Sequence, residues 1–288
     1  MLFALIGMGE VGRCYARPLK EAGYDLVLCD PRPSTASQQM ADEWGIPIHQ
    51  SIGEWVKEAN WVISCVTGSH ALAVVEQALA HIGSQTRICD MTTASPTTKR
   101  TALALCEKAD VAYVDTAIMG AISLSLIKTP LLSAGKHADE FSTLLEKAGG
   151  KVTVIQDGKA GDAISLKILR SIFTKGMEAL SVEMLMAAET QGVREKLFEL
   201  LSDIDNTPLR TFINMLVRTH VIHAKRRAHE VHDAAEELAS HGLPSAVLPG
   251  IEARFQKTIA SLESTPVGED DPSIDTAIQW LLTTSKVS

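Results

Sequence analysis

Leu2-Phe3-Ala4-Leu5-Ile6-Gly7-Met8-Gly9-Glu10-Val11-Gly12 opens the chain, and Asp30 closes the apolar run that follows, Tyr24-Asp25-Leu26-Val27-Leu28-Cys29. An apolar strand, a G-x-G-x-x-G turn, a helix, a second strand and a closing acid form the dinucleotide-binding pattern. Gly7 permits the tight turn, Gly9 lets backbone approach a pyrophosphate, and Gly12 lets the helix pack closely on the strand. The helix N-terminus, running through Met8, Glu10 and Val11, offers unpaired N–H groups and a positive dipole end to phosphates. A glycine turn alone is common and has a purely structural reading. The flanking strands, the acid, and Gly23 placed as a helix C′ residue complete the context here.

The rest of the composition narrows the class. At 288 residues the chain has room for one large domain or two ordinary ones. Apolar residues make up 45%, enough for a sizeable core, and the net charge of −8 disfavours nucleic acid or an anionic membrane as main partner. No apolar run approaches the roughly 20 residues of a membrane span. Strand-like sequence from Leu2 leaves no room for a signal peptide. The five scattered cysteines form no C-x-x-C pair, which suits a reducing, cytoplasmic setting and no zinc site or disulfide framework.

Strands are expected at Leu2–Ile6, Asp25–Cys29, Trp61–Val66, Arg87–Asp90 and Val111–Asp115, with later ones at Leu131–Ala134 and Val152–Ile155. Helical patterns lie between them. Ser51-Ile52-Gly53-Glu54 has capping-box spacing, and Ser95-Pro96 puts proline at a first helical position. Such alternation predicts an α/β fold, a Rossmann-type doubly wound parallel sheet. Ligands then lie beyond the carboxyl ends of the strands. Past residue 158 the strand pattern stops and helices follow, punctuated at Pro208, Gly242, Pro244, Pro249 and the Pro266–Pro272 stretch. The chain therefore reads as a dinucleotide-binding domain over 1–158 and a second, all-α domain over 159–288.

A long helix is expected from Gly161 to Gly192. At 100° per residue, Lys167, Arg170, Ser171, Thr174, Lys175 and Glu178 share one arc of about 140°. The remaining positions, among them Ile168, Leu169, Ile172, Phe173 and Met177, are apolar. A helix this apolar is expected to be buried on most sides, with its polar stripe facing a cleft or solvent.

Further motifs carry a resemblance. Asp90-Met91-Thr92-Thr93-Ala94-Ser95-Pro96 resembles a strand end reading acid-x-Ser/Thr-Thr-x-x-Pro, and Asp115-Thr116-Ala117-Ile118-Met119-Gly120-Ala121 falls where a substrate loop Asp-Ala-Pro-Val-Ser-Gly-Gly would. Gly158, Gly161 and Lys167 resemble the glycine-containing approach to a catalytic lysine. On these residues the chain resembles the β-hydroxyacid dehydrogenase superfamily, which includes 3-hydroxyisobutyrate and 6-phosphogluconate dehydrogenases. Leu166–Ser171, Thr174–Leu180 and Arg226-Arg227-Ala228-His229-Glu230 look most like a less characterised prokaryotic, 6-phosphogluconate-dehydrogenase-like branch with its own helical C-terminal domain. The sequence departs from the superfamily pattern at Met119 and Ala121, at Ser171 where asparagine is usual, and at Thr174 where 6-phosphogluconate dehydrogenase has glutamate. Fold and cofactor class carry over; the substrate stays open.

The resemblance implies Lys167 as the acid/base residue, a role lysine fills when burial or a nearby cation lowers its pKa. The bland reading is a lysine snorkelling from a buried helix. Asp30 would accept from the ribose hydroxyls of NAD, whereas Arg32 would accommodate the 2′-phosphate of NADP; NAD is favoured, with NADP as the alternative. Thr67, Gly68 and Thr93 should line the cofactor cleft. Met119, Gly120, Ala121 and Ser171 should meet a small, carboxylate-bearing substrate, and Arg227 could clamp that carboxylate or belong to a solvated helix face. His229 and His232 share a helical face, but no nearby Cys or patterned acid completes a metal set.

The leading expectation is an NAD(P)-dependent oxidoreductase moving a hydride to or from a small hydroxy acid or its keto partner. An imine-type reductase of the same superfamily, and a non-catalytic dinucleotide-binding regulatory protein, are the alternatives. The apolar C-terminal helices and the resemblance both imply a homodimer through the helical domain.

Overall fold

The computed structural model describes residues 1–285. The elements run β1 (Leu2–Ile6), α1 (Glu10–Glu21), β2 (Asp25–Cys29), α2 (Thr35–Trp44), β3 (Ile48–His49), β4 (Trp61–Ser64), α3 (Ala71–Leu79), β5 (Arg87–Asp90), α4 (Pro96–Lys108), β6 (Ala112–Ile118), α5 (Ile122–Ser125), β7 (Pro130–Ala134), α6 (Ala138–Lys147) and β8 (Lys151–Val154). Helices alone follow: α7 (Asp162–Thr190), α8 (Arg194–Leu200), α9 (Ser202–Asp205), α10 (Leu209–Ser240), α11 (Leu248–Ser264) and α12 (Ile274–Ser285). The chain divides into two compact units, Met1–Ile172 and a second beginning at Phe173, so the division falls within α7.

The first unit is a Rossmann-type sheet in the order β3-β2-β1-β4-β5-β6-β7-β8. From β1 the chain moves outward to β2 and β3, then returns to β4 on the other side of β1. That reversal opens a crevice at the carboxyl ends of β1 and β4, where α1 begins. Alternate residues of each strand serve opposite faces. Phe3 and Leu5 join Tyr15, Leu19, Trp61 and Ile63 in one core. Ala4 and Ile6 join Val62, Val75 and Ile88 in the other. Both faces are covered by helices, as a parallel sheet requires.

Local signals were realised unevenly. α1 ends in a Schellman motif: Gly23, at φ +85°, donates its N–H to Lys20 O, and Tyr24 N–H donates to Leu19 O. Ser95 caps α4, its Oγ accepting from Thr98 N–H at 3.1 Å, and Pro96 takes the first turn. The capping box expected at Ser51 does not form. Gly53 leads into a single 3₁₀ turn, Glu54–Glu58, without a side-chain cap, and Ser51 O instead accepts from Trp55 Nε1 at 3.1 Å.

Apart from one-residue shifts at the ends of β6, β7 and β8, three differences concern the strands. The two-residue β3 pairs with β2 and was not expected. β4 stops at Ser64, two residues short of the expected end. β6 runs on to Ile118 because β7 pairs with it antiparallel, Ile118 opposite Leu131 and Asp115 opposite Ala134. All other neighbouring strands are parallel.

In the second unit α10 packs along α11 and α12 and loses helical geometry at His223, with φ −108° and ψ 15°. Among the described residues no helix is long and apolar enough to cross a membrane.

Candidate active site

The glycine loop is shaped by contacts that leave no room for side chains. Gly7 has φ +93°, and a Cβ there would lie 2.9 Å from the Cys65 carbonyl carbon. A Cβ on Gly12 would lie 2.0 Å from Gly7 O. Gly9 differs: its Cβ would meet no protein atom within 4 Å. No side chain among the described residues caps α1, which leaves the first-turn N–H groups of Glu10, Val11 and Gly12 free for a ligand. An open cradle at a bare helix N-terminus fits a pyrophosphate.

Asp30 sits beside this loop and is tied into it. Its Oδ2 accepts from Met8 N–H at 2.8 Å and its Oδ1 from Arg32 N–H at 2.8 Å. Each carboxylate oxygen keeps a second lone pair. Arg13 reinforces the corner, donating to Met8 O and to the hydroxyls of Ser34 and Ser37. The Arg32 side chain is exposed and makes no hydrogen bond or ion pair to the described residues.

The next two candidate segments stand against each other. A Cβ on Gly68 would lie 2.9 Å from the Thr93 carbonyl carbon and 2.9 Å from Ala94 N. Thr67 Oγ1 is 2.8 Å from His70 Nδ1, while the Thr93 side chain is exposed. At the end of β6, Met119 N–H donates to Pro130 O at 2.8 Å, and Gly120 faces Thr129, whose Cγ2 would lie 3.4 Å from a Cβ at 120. Ala121 is exposed, and beyond it Leu126 holds a strained backbone, φ +47° and ψ −131°.

The start of α7 is held from beneath. Asp115 of β6, fully buried, accepts from Gly161 N–H at 2.9 Å and from Ile164 N–H at 3.4 Å through Oδ2. A carboxylate there satisfies first-turn donors and complements the helix dipole. One turn on, Lys167 is half-buried. Burial, and then the Lys99 ammonium, push its pKa below the ordinary lysine value. Ser171, four residues later, is half-buried too. The apolar sides of the helix are exposed along with Arg170, Lys175 and Glu178 of its polar stripe: Leu169 is 61% and Ile172 67% accessible. This reverses the expectation of a helix buried on most sides.

The remaining candidate, Arg227, lies on α10 in the second unit and is half-buried. It makes no hydrogen bond or ion pair to the described residues. Its neighbour Arg226 is paired with Glu230. On the same helix His220 Nε2 is 2.8 Å from Thr258 Oγ1, which also accepts from Arg254 at 3.0 Å, and the imidazole packs on Phe255 with centroids 4.8 Å apart. Burial, then the charges of Arg254 and Arg227, push the His220 pKa down to about 4.

Residues 2–158 match the model of the NAD binding domain of 6-phosphogluconate dehydrogenase. The chain belongs to this NAD-binding family. Residues 188–258 match a domain of unknown function. An uncharacterised 28.5 kDa protein of Methanothermus fervidus is 29% identical over 89% of this chain and 98% of its own length. Mitochondrial 3-hydroxyisobutyrate dehydrogenase of Mus musculus is 25% identical over 73% of this chain, which spans only 60% of that enzyme. Among solved structures, a conserved protein of unknown function, reported as similar to 3-hydroxyacid dehydrogenases, superposes with a TM-score of 0.63 at 29% identity, covering 90% of this chain and 97% of its own. An imine reductase of Aspergillus terreus superposes with a TM-score of 0.75 over 96% and 98% of the two chains. At 16% identity that likeness is one of fold alone. The chain is thus a member of the β-hydroxyacid dehydrogenase superfamily.

Within this 6-phosphogluconate dehydrogenase-like frame, the structure adds residues that sequence reasoning passed over. Asp90, Lys99 and Asp115 form a buried cluster under the Thr92–Ala94 turn and α7. The available signal was an acid at each of two successive strand ends; nothing local marks Lys99.

Proposed function

We propose that the chain is an NAD(P)-dependent oxidoreductase acting on a small hydroxy acid or its keto partner. The observation carrying this reading is the half-buried Lys167, pushed below the ordinary lysine range, one turn into the helix anchored by Asp115 of β6. A bound nicotinamide would accept or supply the hydride. Gly7 to Gly12 and the N-terminus of α1 would hold the pyrophosphate. Asp30 would accept from the ribose hydroxyls through its free lone pairs, and Arg32 would accommodate a 2′-phosphate. NAD is favoured, with NADP as the alternative. Thr67, Gly68 and Thr93 would wall the cofactor.

Lys167 in its amine form would take the hydroxyl proton during oxidation; its ammonium would return that proton during reduction. The Gly120 N–H, Met119, Ala121 and Ser171 would hold the substrate. The domain division, with cofactor binding in 1–158 and substrate binding and dimerisation in 159–288, belongs to the same reading. So does a homodimer: the exposed apolar sides of α7 need a cover. Light scattering tests that point, and a monomer removes it.

The test of function is a screen of hydroxy acids, amines and their oxidised partners with NAD and NADP, followed at the reduced-nicotinamide absorbance. Turnover of a hydroxy acid that is lost in Lys167→Ala supports the reading. Turnover confined to amines or imines, or none with intact cofactor binding, overturns it.

A further inference from the structure

Asp90 and Asp115 are Cα partners across the parallel pair β5–β6. Both side chains are almost wholly buried, at 1% and 0% accessibility. Two facing carboxylates in a dry interior repel each other and require a cation. Lys99, from the first turns of α4 and itself 0% accessible, supplies it: Nζ lies 2.9 Å from Asp90 Oδ1, 3.1 Å from Asp115 Oδ1 and 2.7 Å from Asp90 O.

The three side chains reach three parts of the candidate site. Asp90 Oδ1 accepts from Thr92 N–H at 2.8 Å, fixing the turn that presents Thr93, and its Oδ2 accepts from Tyr113 Oη at 2.7 Å. Asp115 lies in the strand that ends at Met119, and its Oδ2 holds the N–H groups that open α7. Gly161 is pressed on α4 as well: a Cβ there would lie 2.9 Å from Arg100 Nη1 and 3.0 Å from Pro96 O. The start of α7 is therefore set against both the strand and the helix that carry this cluster.

We propose that Lys99 is a positioning residue for Lys167: through Asp115 it holds the first turn of α7, and its charge sets the field the Lys167 amine meets. The inference rests on Lys167 as the proton-transfer group. The charged groups gathered around this end of α7 are Lys99 and Arg100 of α4, Asp90 of β5 and Asp115 of β6, with Asp162 and Arg170 on α7 itself. Lys99 is the cation among them that depresses Lys167. Asp90 and Asp115 temper that effect by pairing with Lys99.

The test reads the amine itself, so it needs no substrate. The full chain is acetylated with acetic anhydride across a pH series, and labelling at position 167 is followed by peptide mass spectrometry against exposed Lys175. In the unaltered chain the Lys167 midpoint lies below the ordinary lysine value. In Lys99→Met it rises by about half a unit to one unit, because a nearby like charge is gone. In Asp115→Asn, whose amide oxygen still accepts from Gly161, it falls by a similar amount, because Lys99 loses part of its neutralising partner. Loosening of α7 alone would move both midpoints upward, toward the ordinary lysine value. Shifts of opposite sign support the proposal; shifts of the same sign, or none in either folded variant, overturn it. Should Lys99→Met fail to fold by circular dichroism, the Asp115→Asn direction decides alone. Retained turnover in Lys167→Ala would remove Lys167 from catalysis without touching these midpoints, so the two failures are distinguishable.

Discussion

Gly12 lies so close to Gly7 that a Cβ on the first would stand 2.0 Å from the carbonyl oxygen of the second. Helix α1 and strand β1 are locked through that approach, and neither backbone can retreat without disturbing the core behind it. Gly12→Ala should therefore cost about 3 kcal/mol or more, at the upper end of overpacking, read as a lowered Tm. Gly9→Ala meets no protein atom within 4 Å. It should fold normally yet weaken NADH binding, because the methyl would fill the proposed pyrophosphate cradle. Equal melting temperatures for the two variants would refute the packing argument.

Lys167→Met keeps the length of the side chain and removes the proposed proton carrier. Turnover should fall by about 10²–10⁴-fold, with the cofactor Kd unchanged by fluorescence titration. The pH dependence has a defined sign. On the proposed mechanism oxidation needs the free amine, so its rate should rise with pH, with the limb placed below the ordinary lysine range because burial and Lys99 lower the pKa. Reduction needs the ammonium and declines through the same range. Both limbs should vanish from the residual activity of the variant.

Asp30 and Arg32 should separate the two cofactors. Arg32→Ala removes an exposed guanidinium with no partner among the described residues. It should raise the Kd for NADPH about tenfold, equivalent to about 1.4 kcal/mol, and leave NADH nearly unchanged. Asp30→Ala should weaken NADH and also loosen the loop, since the Met8 and Arg32 N–H groups lose their acceptor. Isothermal titration with both cofactors checks this; unchanged NADPH binding in Arg32→Ala would take Arg32 out of the recognition.

His220 should make folding of the helical unit acid-sensitive. Its pKa in the fold, about 4, lies below the ordinary value of 6.5, so the fold favours the neutral ring. That contribution is fully present above pH 6.5 and is lost progressively as pH falls toward 4. Urea melts between pH 7 and pH 4 should show a falling midpoint that His220→Gln flattens. A variant as acid-sensitive as the parent would place the effect elsewhere.

Much of the nucleotide-binding half was legible because its signals are local. Glycine spacing, the Gly23 stop and the position of Asp30 each follow from a few consecutive residues, and the chain folds accordingly. Ser51 misled for the same reason: capping spacing cannot anticipate that Gly53 and Trp55 will close a 3₁₀ turn instead. The direction of β7 was not legible, since a strand run looks alike whichever way it pairs. Lys99 was hidden for a stronger reason. Its burial follows from Asp90 and Asp115 facing each other across two strands, a relation set by register rather than by neighbours in sequence. The exposed apolar sides of α7 were misjudged because periodicity reports which residues share a face, not what covers it.

The antiparallel turn between β6 and β7 has a consequence for how such a chain can diversify. Met119 and Pro130 are joined by a backbone hydrogen bond, so the segment 121–129 leaves and re-enters the sheet at one stapled point. Ile122 is held in the core and buried Thr129 faces Gly120, so the exposed positions Ser123, Leu124 and Ser125 are the ones whose side chains can be exchanged without shifting Gly120. Those positions behave as an exchangeable facing on a fixed frame, and under the proposed function a change of substrate made there would leave the nucleotide-binding loop untouched.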